Sequence, residues 1–170
     1  MDSEAKQTKQ VLAELTARIA NLEKSQQTSA PTQDVDAAQF WALDHLQKAA
    51  VRGGIVMYAG VATTPTGAHY RWQREVATKE IFNTQWDSLD AVLVALGHPV
   101  RLRLLKALLD GQRTKAALEA LDGIGTTGQL YHHLKKLEDG GWVRSLQRGV
   151  YDVPGERVIP LLAILSAAMG

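Results

Sequence analysis

Ala95-Leu-Gly-His-Pro-Val-Arg-Leu-Arg-Leu-Leu-Lys-Ala-Leu-Leu109, then Thr126-Thr-Gly-Gln-Leu-Tyr-His-His-Leu-Lys-Lys-Leu137 and Gly140-Gly-Trp-Val143, decide how this chain is read. Pro99 opens a helix, because a proline in the first turn gives up only an N–H that has no partner there. Leu102, Leu105 and Leu109 form its inner stripe, Arg101, Arg103 and Lys106 its outer charges, and Gly111 ends it. Thr114 caps a short second helix, Ala116-Ala-Leu-Glu-Ala-Leu121, and Asp122-Gly-Ile-Gly125 supplies a turn. Thr126 or Thr127 caps a third helix, on which Leu130, His133, Leu134 and Leu137 share one face. Trp142 to Leu146 and Val150 to Val153 then alternate as two strands around a tip, Gln147-Arg-Gly149.

Helix, short helix, turn, helix and hairpin in this order predict a winged helix-turn-helix. The third helix, 126–139, leaves Thr126, Thr127, Gly128, Gln129, Tyr131, His132, Lys135 and Lys136 on its outer or flanking faces. These residue types suit the major groove of double-stranded DNA. A glutamine pairs with adenine through both ends of its amide, threonine and tyrosine bond bases or phosphates, and lysine neutralises phosphate. Gly128 lets the helix start come close to the duplex. Arg148 beside Gly149, at the tip of the wing 142–153, is placed to enter a minor groove or clamp a phosphate, and Arg144 lies on the same wing. The formal net charge of +1 hides an uneven distribution. Residues 97–150 carry nine basic and five acidic groups, against four and six in residues 1–40, so the helix-turn-helix stretch is the basic one.

Working outward, the sequence divides into further segments. In 1–24, Leu12, Leu15, Ile19 and Leu22 recur at coiled-coil spacing, weakly extended by Ala5 and Thr8, which predicts a helical arm in want of a partner helix. Residues 25–35 lack periodicity and read as a linker. The segment 36–77 opens with Asp36 as a helix cap, carries Phe40, Trp41, Leu43 and Leu46 to the stop at Gly53-Gly54, and continues as a hairpin, Ile55 to Thr63 and His69 to Val76, turning at Thr64-Pro-Thr-Gly67. Its second strand puts Tyr70, Trp72 and Arg74 on one face and His69, Arg71 and Gln73 on the other. The winged domain is expected over 78–155, introduced by Ile81, Phe82, Trp86 and a helix from about Ser88 to Leu96. Residues 156–170 form a helix apolar almost all round, read as a dimerisation helix. The expected class is therefore mainly α with small β-hairpins, α+β.

Composition narrows the function. The 170 residues, 45% apolar and 22% charged, suffice for one domain with appendages. No cysteine is present, which removes disulfides and thiolate metal sites and fits a cytoplasmic protein. The polar N-terminus is not expected to be a signal peptide, and no apolar run reaches the ~20 residues a bilayer span needs. No nucleophile elbow, phosphate loop or His-Glu metal helix points to an enzyme. His132 and His133, adjacent on a helix, point about 100° apart and make a poor chelate. His133 is read as a core histidine with its hydrogen bonds met and His132 as a surface group. No metal and no cofactor is expected.

The residues from about 87 to 168 resemble the ArsR family of bacterial winged-helix repressors. Ala95-Leu-Gly-His-Pro-Val-Arg-Leu-Arg-Leu-Leu is similar to the family's helix entry, His132-His-Leu-Lys-Lys-Leu-Glu-Asp-Gly-Gly-Trp-Val to its reading helix and turn, and Gly149-Val-Tyr-Asp-Val to its returning wing strand. The resemblance implies a homodimeric repressor on a pseudo-palindromic operator, terminal helices in the dimer interface, and an effector that alters DNA affinity. The family's metal sensors use cysteines or paired C-terminal ligands, and this chain has neither. A small organic effector is one candidate, and the segment 36–77 is read as either an organic-ligand site or a source of extra dimer contacts. The competing reading is a ligand-binding or protein-interaction module that uses the winged helix as a docking surface.

Overall fold

The computed structural model describes residues 9, 11–20, 41–49 and 53–170. The expected linker 25–35, the Asp36 cap, Phe40, and the seam positions Ala5, Thr8 and Leu22 lie outside the described residues. The chain divides into two compact units, residues 1–48 and 49–170. In the first, residues 11–20 form helix α1, and helix α2 spans Trp41–Ala49. Leu12, Leu15 and Ile19 of α1 are all exposed, as are Trp41 and Leu43 of α2.

The second unit is an α+β fold with two antiparallel two-stranded sheets. Strands β1 (Ile55–Thr63) and β2 (His69–Ala77) pair in register from Ile55 opposite Ala77 to Thr63 opposite His69. They turn where Gly67 N–H donates to the Thr64 carbonyl. Thr78 Oγ1 ties the far end by donating to the carbonyls of Gly53 and Gly54. Helix α3 (Thr78–Asn83) and a 3-10 turn (Trp86–Leu89) lead into α4 (Asp90–Leu96). Then come α5 (Pro99–Leu109), α6 (Lys115–Glu119), α7 (Thr127–Asp139), β3 (Arg144–Gln147), β4 (Val150–Asp152) and α8 (Gly155–Ala168). The wing has a third edge: Lys115 N–H donates to the Gly149 carbonyl and Tyr151 N–H to the Arg113 carbonyl, so residues 113–115 lie along β4 and brace the hairpin against the start of α6.

One core serves this unit. Leu104, Leu105 and Leu108 of α5, Leu118 of α6, and Leu130, Leu134 and Leu137 of α7 meet Trp142, Val143, Val153, Val158 and Leu161. The inner stripe of α5 is thus Leu104, Leu105 and Leu108, while Leu102 and Leu109, expected there, are only partly buried. Arg101 was expected among the outer charges; it is 8% exposed. Its guanidinium donates to the carbonyls of Ala95 and Val94, both at 2.6 Å, and so satisfies the end of α4, where carbonyls lack intrahelical partners and a cation is favoured. The burial of Arg101 therefore reflects a helix-to-helix cap.

Trp142 and Val143 precede β3 and lie in the core instead of starting the wing strand. Trp142 Nε1 donates to the Val92 carbonyl at 2.8 Å, and Arg157 of α8 stands over the ring at 5.2 Å. Gly140 permits this convergence: a Cβ there would sit 2.8 Å from Ala95 Cβ and 3.0 Å from the Ala91 carbonyl oxygen. The end of α7 thus rests directly on α4.

Helix α8 buries Val158, Ile159 and Leu161 in its own unit, and Pro160 inside it removes one N–H donor from the helical ladder. The face of the hairpin that carries Tyr70 and Trp72 lies over this helix. Tyr70 meets Gly155, and a Cβ on Gly60, whose register partner is Trp72, would meet Ile159. Tyr70, partly buried, packs against the core, whereas Trp72 stays exposed. Leu162 and Ile164, further along α8, remain open.

Candidate nucleic-acid interface

Helix α7 begins with a complete capping box. Thr126 Oγ1 accepts from Gln129 N at 3.3 Å, and Gln129 Oε1 accepts from Thr126 N at 2.8 Å, which satisfies two otherwise orphaned donors. The turn before it ends at Gly125, whose φ of +85° is a conformation that disfavours any side chain. Buried Leu130, Leu134 and Leu137 hold the helix on the core, so its other face is turned outward: Thr127, Gly128, Gln129, Tyr131, His132, Lys135 and Lys136 are all exposed. Nothing within the chain crowds Gly128, since the nearest neighbour of a Cβ there would be Thr126 Oγ1 at 3.8 Å.

The structure shows how each polar group is held. Thr127 donates its hydroxyl proton to Glu119 Oε1 at 2.7 Å, and Lys115 reaches the same oxygen at 3.2 Å while standing 5.4 Å from the centre of the Tyr131 ring. These contacts keep the Glu119 carboxyl below its ordinary pKa, the Thr127 hydrogen bond being the largest cause, and raise that of Lys115 through its bond to Glu119. Lys115 is thus a cation at this surface that the sequence reading passed over. The signal for it was its place one residue after the Thr114 cap. Lys135 pairs with Asp139 at 2.7 Å, which raises the lysine pKa. Arg144 and Arg113 both reach Asp152, each at 3.3 Å. Among the described residues, no ion pair engages Lys136 on the helix or Arg148 at the exposed wing tip.

The inner flank of α7 meets the start of α5. The His133 ring lies 4.7 Å from the His98 ring, whose Nδ1 caps α5 by accepting from Val100 N at 3.2 Å. His133 is half-buried, and its Nδ1 is buried without a hydrogen-bond partner, so the expectation of a satisfied core histidine fails at that atom. Burial first, and then His98, Arg101 and His132, push its pKa below the ordinary imidazole value. A group whose pKa is lowered by folding adds stability above its unfolded value, near ~6.5, and loses it as pH falls toward the folded value. Thermal melts from about pH 8 to about pH 5 are expected to decline below about pH 6.5, with a shallower decline in His133→Gln. Equal slopes in the two proteins would show that His133 does not carry the effect.

Among the described residues, no group of three or more His, Cys, Asp or Glu is placed to hold a metal ion, and no helix is long and apolar enough to cross a membrane. What the site offers is a protruding helix start, a basic flank and a braced wing. Residues 96–145 match the family model described as a helix-turn-helix domain. No curated protein and no solved structure matches the chain. The match begins at the end of α4 and ends in β3, so it covers α5, α6 and α7 together: the chain carries a helix-turn-helix domain, in a winged α+β setting, of the kind found in DNA-binding transcription regulators.

Proposed function

We propose that this protein is a sequence-specific, homodimeric transcription regulator of the ArsR type, acting as a repressor on a pseudo-palindromic operator. Helix α7 enters the major groove, and the wing lies on the adjacent minor groove or backbone, with half-sites about one helical turn, ~34 Å, apart. Thr126, Thr127, Gly128, Gln129, Tyr131 and His132 face base edges. Lys135, Lys136, Arg144 and Arg148 face phosphate, and Lys115 joins them. The observation that carries this reading is the exposed polar start of α7 beside the Arg148 tip, both anchored to one core.

The apolar surface left open in the second unit supports a dimer. Phe82 and Trp86 stack at 6.2 Å while 73% and 60% exposed, and Leu89, Leu93 and Val94 continue from them along the 3-10 turn and α4. Single exposed apolar residues are ordinary, but a run of aromatic and aliphatic groups marks an interaction surface. Exposed Leu12, Leu15 and Ile19 on α1 support a second self-pairing element. An organic effector would be sought at the β1–β2 hairpin, where Ala59, Val61, Arg71, Trp72 and Gln73 line an open hollow of about 430 Å³.

Selection of binding sites from random duplex DNA, with the mass in solution measured alongside, tests this directly. Enrichment of an inverted repeat by a dimer is the expected result; a folded dimer that enriches nothing would move the function to protein docking. The Glu119 carboxylate competes with phosphate for Thr127 and Lys115. Glu119→Gln is therefore expected to tighten duplex binding ~3- to 10-fold and to steepen its salt dependence by about one unit for each subunit of the dimer. Unchanged binding would place Lys115 and Thr127 outside the contact set.

A further inference from the structure

The side chain best placed to read a base at the start of α7 has its oxygen turned back toward the backbone. Gln129 Oε1 accepts from Thr126 N at 2.8 Å. The amide is also folded back over the turn: a Cβ on Gly125 would overlap Oε1, lie 2.9 Å from Cδ and 3.6 Å from Nε2. The oxygen is the end nearest the backbone and the amino group the end farthest from it. Gln129 is exposed, and Gly128 beside it adds no side chain to cover the amide. Pairing with adenine needs the oxygen turned to the base, to accept from the adenine amino group while the amide nitrogen donates to N7. In this geometry that turn would break the capping box and strand the Thr126 N–H.

We propose that Gln129 reads the major groove as a hydrogen-bond donor only, and that its base is guanine. Guanine presents two adjacent acceptors, O6 and N7, and no donor on that edge, which matches an outward amino group whose oxygen is held behind it. The inference rests on the reading of α7 as the major-groove helix and goes further by naming the base. It also gives the capping box a second role, since the bond that starts the helix fixes which end of the amide faces DNA.

Gln129→Glu separates these roles. Glutamate keeps an oxygen for the Thr126 N–H and is the other side chain that forms this box, but it has no donor to offer. Site selection from random duplexes, with the full-length wild-type and Gln129→Glu proteins and with melting curves for both, is the experiment. The wild type is expected to fix guanine at one position of each half-site. In the variant, that preference should fall by roughly ten- to a hundredfold and move toward cytosine, whose amino group donates, while the two proteins melt alike. A wild-type adenine at the position the substitution alters, or identical preferences in the two proteins, would overturn the donor reading and leave DNA binding standing. No enrichment by the wild type would overturn the DNA-binding reading itself, and this inference with it.

Discussion

Trp142→Ala is expected to cost about 3–5 kcal/mol of unfolding free energy, the range for removing a buried large aromatic. The ring is 1% exposed and joins three elements. It follows the end of α7, its Nε1 holds the Val92 carbonyl of α4, and Arg157 of α8 lies across its face. Truncation would leave a cavity, remove a hydrogen bond to the Val92 carbonyl and leave an arginine without its aromatic partner. Since a domain of this size is stable by roughly 5–15 kcal/mol, the loss would remove a large share of its stability. Trp142→Phe keeps most of the packing and gives up the hydrogen bond, so it should cost a smaller amount, about 1–2 kcal/mol. Urea denaturation followed by circular dichroism reads both. A loss below about 1 kcal/mol for the alanine variant would mean that the junction of α4, α7 and α8 is not the centre of the core.

Removing Lys136 and Arg148 together is expected to weaken DNA binding by at least ~tenfold at low salt and to lower the slope of log affinity against log salt by about two for each subunit of the dimer, roughly four in all. These cations stand on α7 and at the wing tip, and no ion pair engages either among the described residues. Lys135, Lys115 and Arg144, by contrast, each hold a carboxylate that must be given up before phosphate is met. Contacts to phosphate carry no base information, so the selected sequence should stay the same. Titration of a labelled duplex between ~50 and ~200 mM salt measures the slope. An unchanged slope would take the basic flank and the wing out of the contact set together.

Which parts of this were legible in the sequence follows from the range of the forces involved. Pro99 and Thr126 act within a turn of their own position, and the helices they start lie where the residues put them. The hairpin, too, runs from Ile55 as the alternation indicates and turns at Thr64 to Gly67. Arg101 was misread because amphipathic periodicity assigns a charge to solvent, whereas here a neighbouring helix end offers it two carbonyls. Trp142 and Val143 have the residue types of a strand, but the core takes them first. Asp152 as the common partner of Arg113 and Arg144 depends on where the α5–α6 loop returns, which no local pattern encodes. Thr126 and Gln129 differ from these cases. Their spacing is a capping-box pattern in the sequence itself, and the competing use of the glutamine as a base reader obscured it.

In the proposed regulator the outer face of α7 and the wing tip hold DNA. Amide spectra of isotope-labelled protein, recorded with and without a selected duplex, test it most directly. Shifts are expected to concentrate in residues 113–116, 126–136 and 147–149, with the exposed apolar residues Phe82, Trp86, Leu89, Leu93 and Val94 little changed. Shifts confined to those apolar residues and to the β1–β2 hairpin, with α7 unmoved, would mean that α7 and the wing tip do not hold DNA.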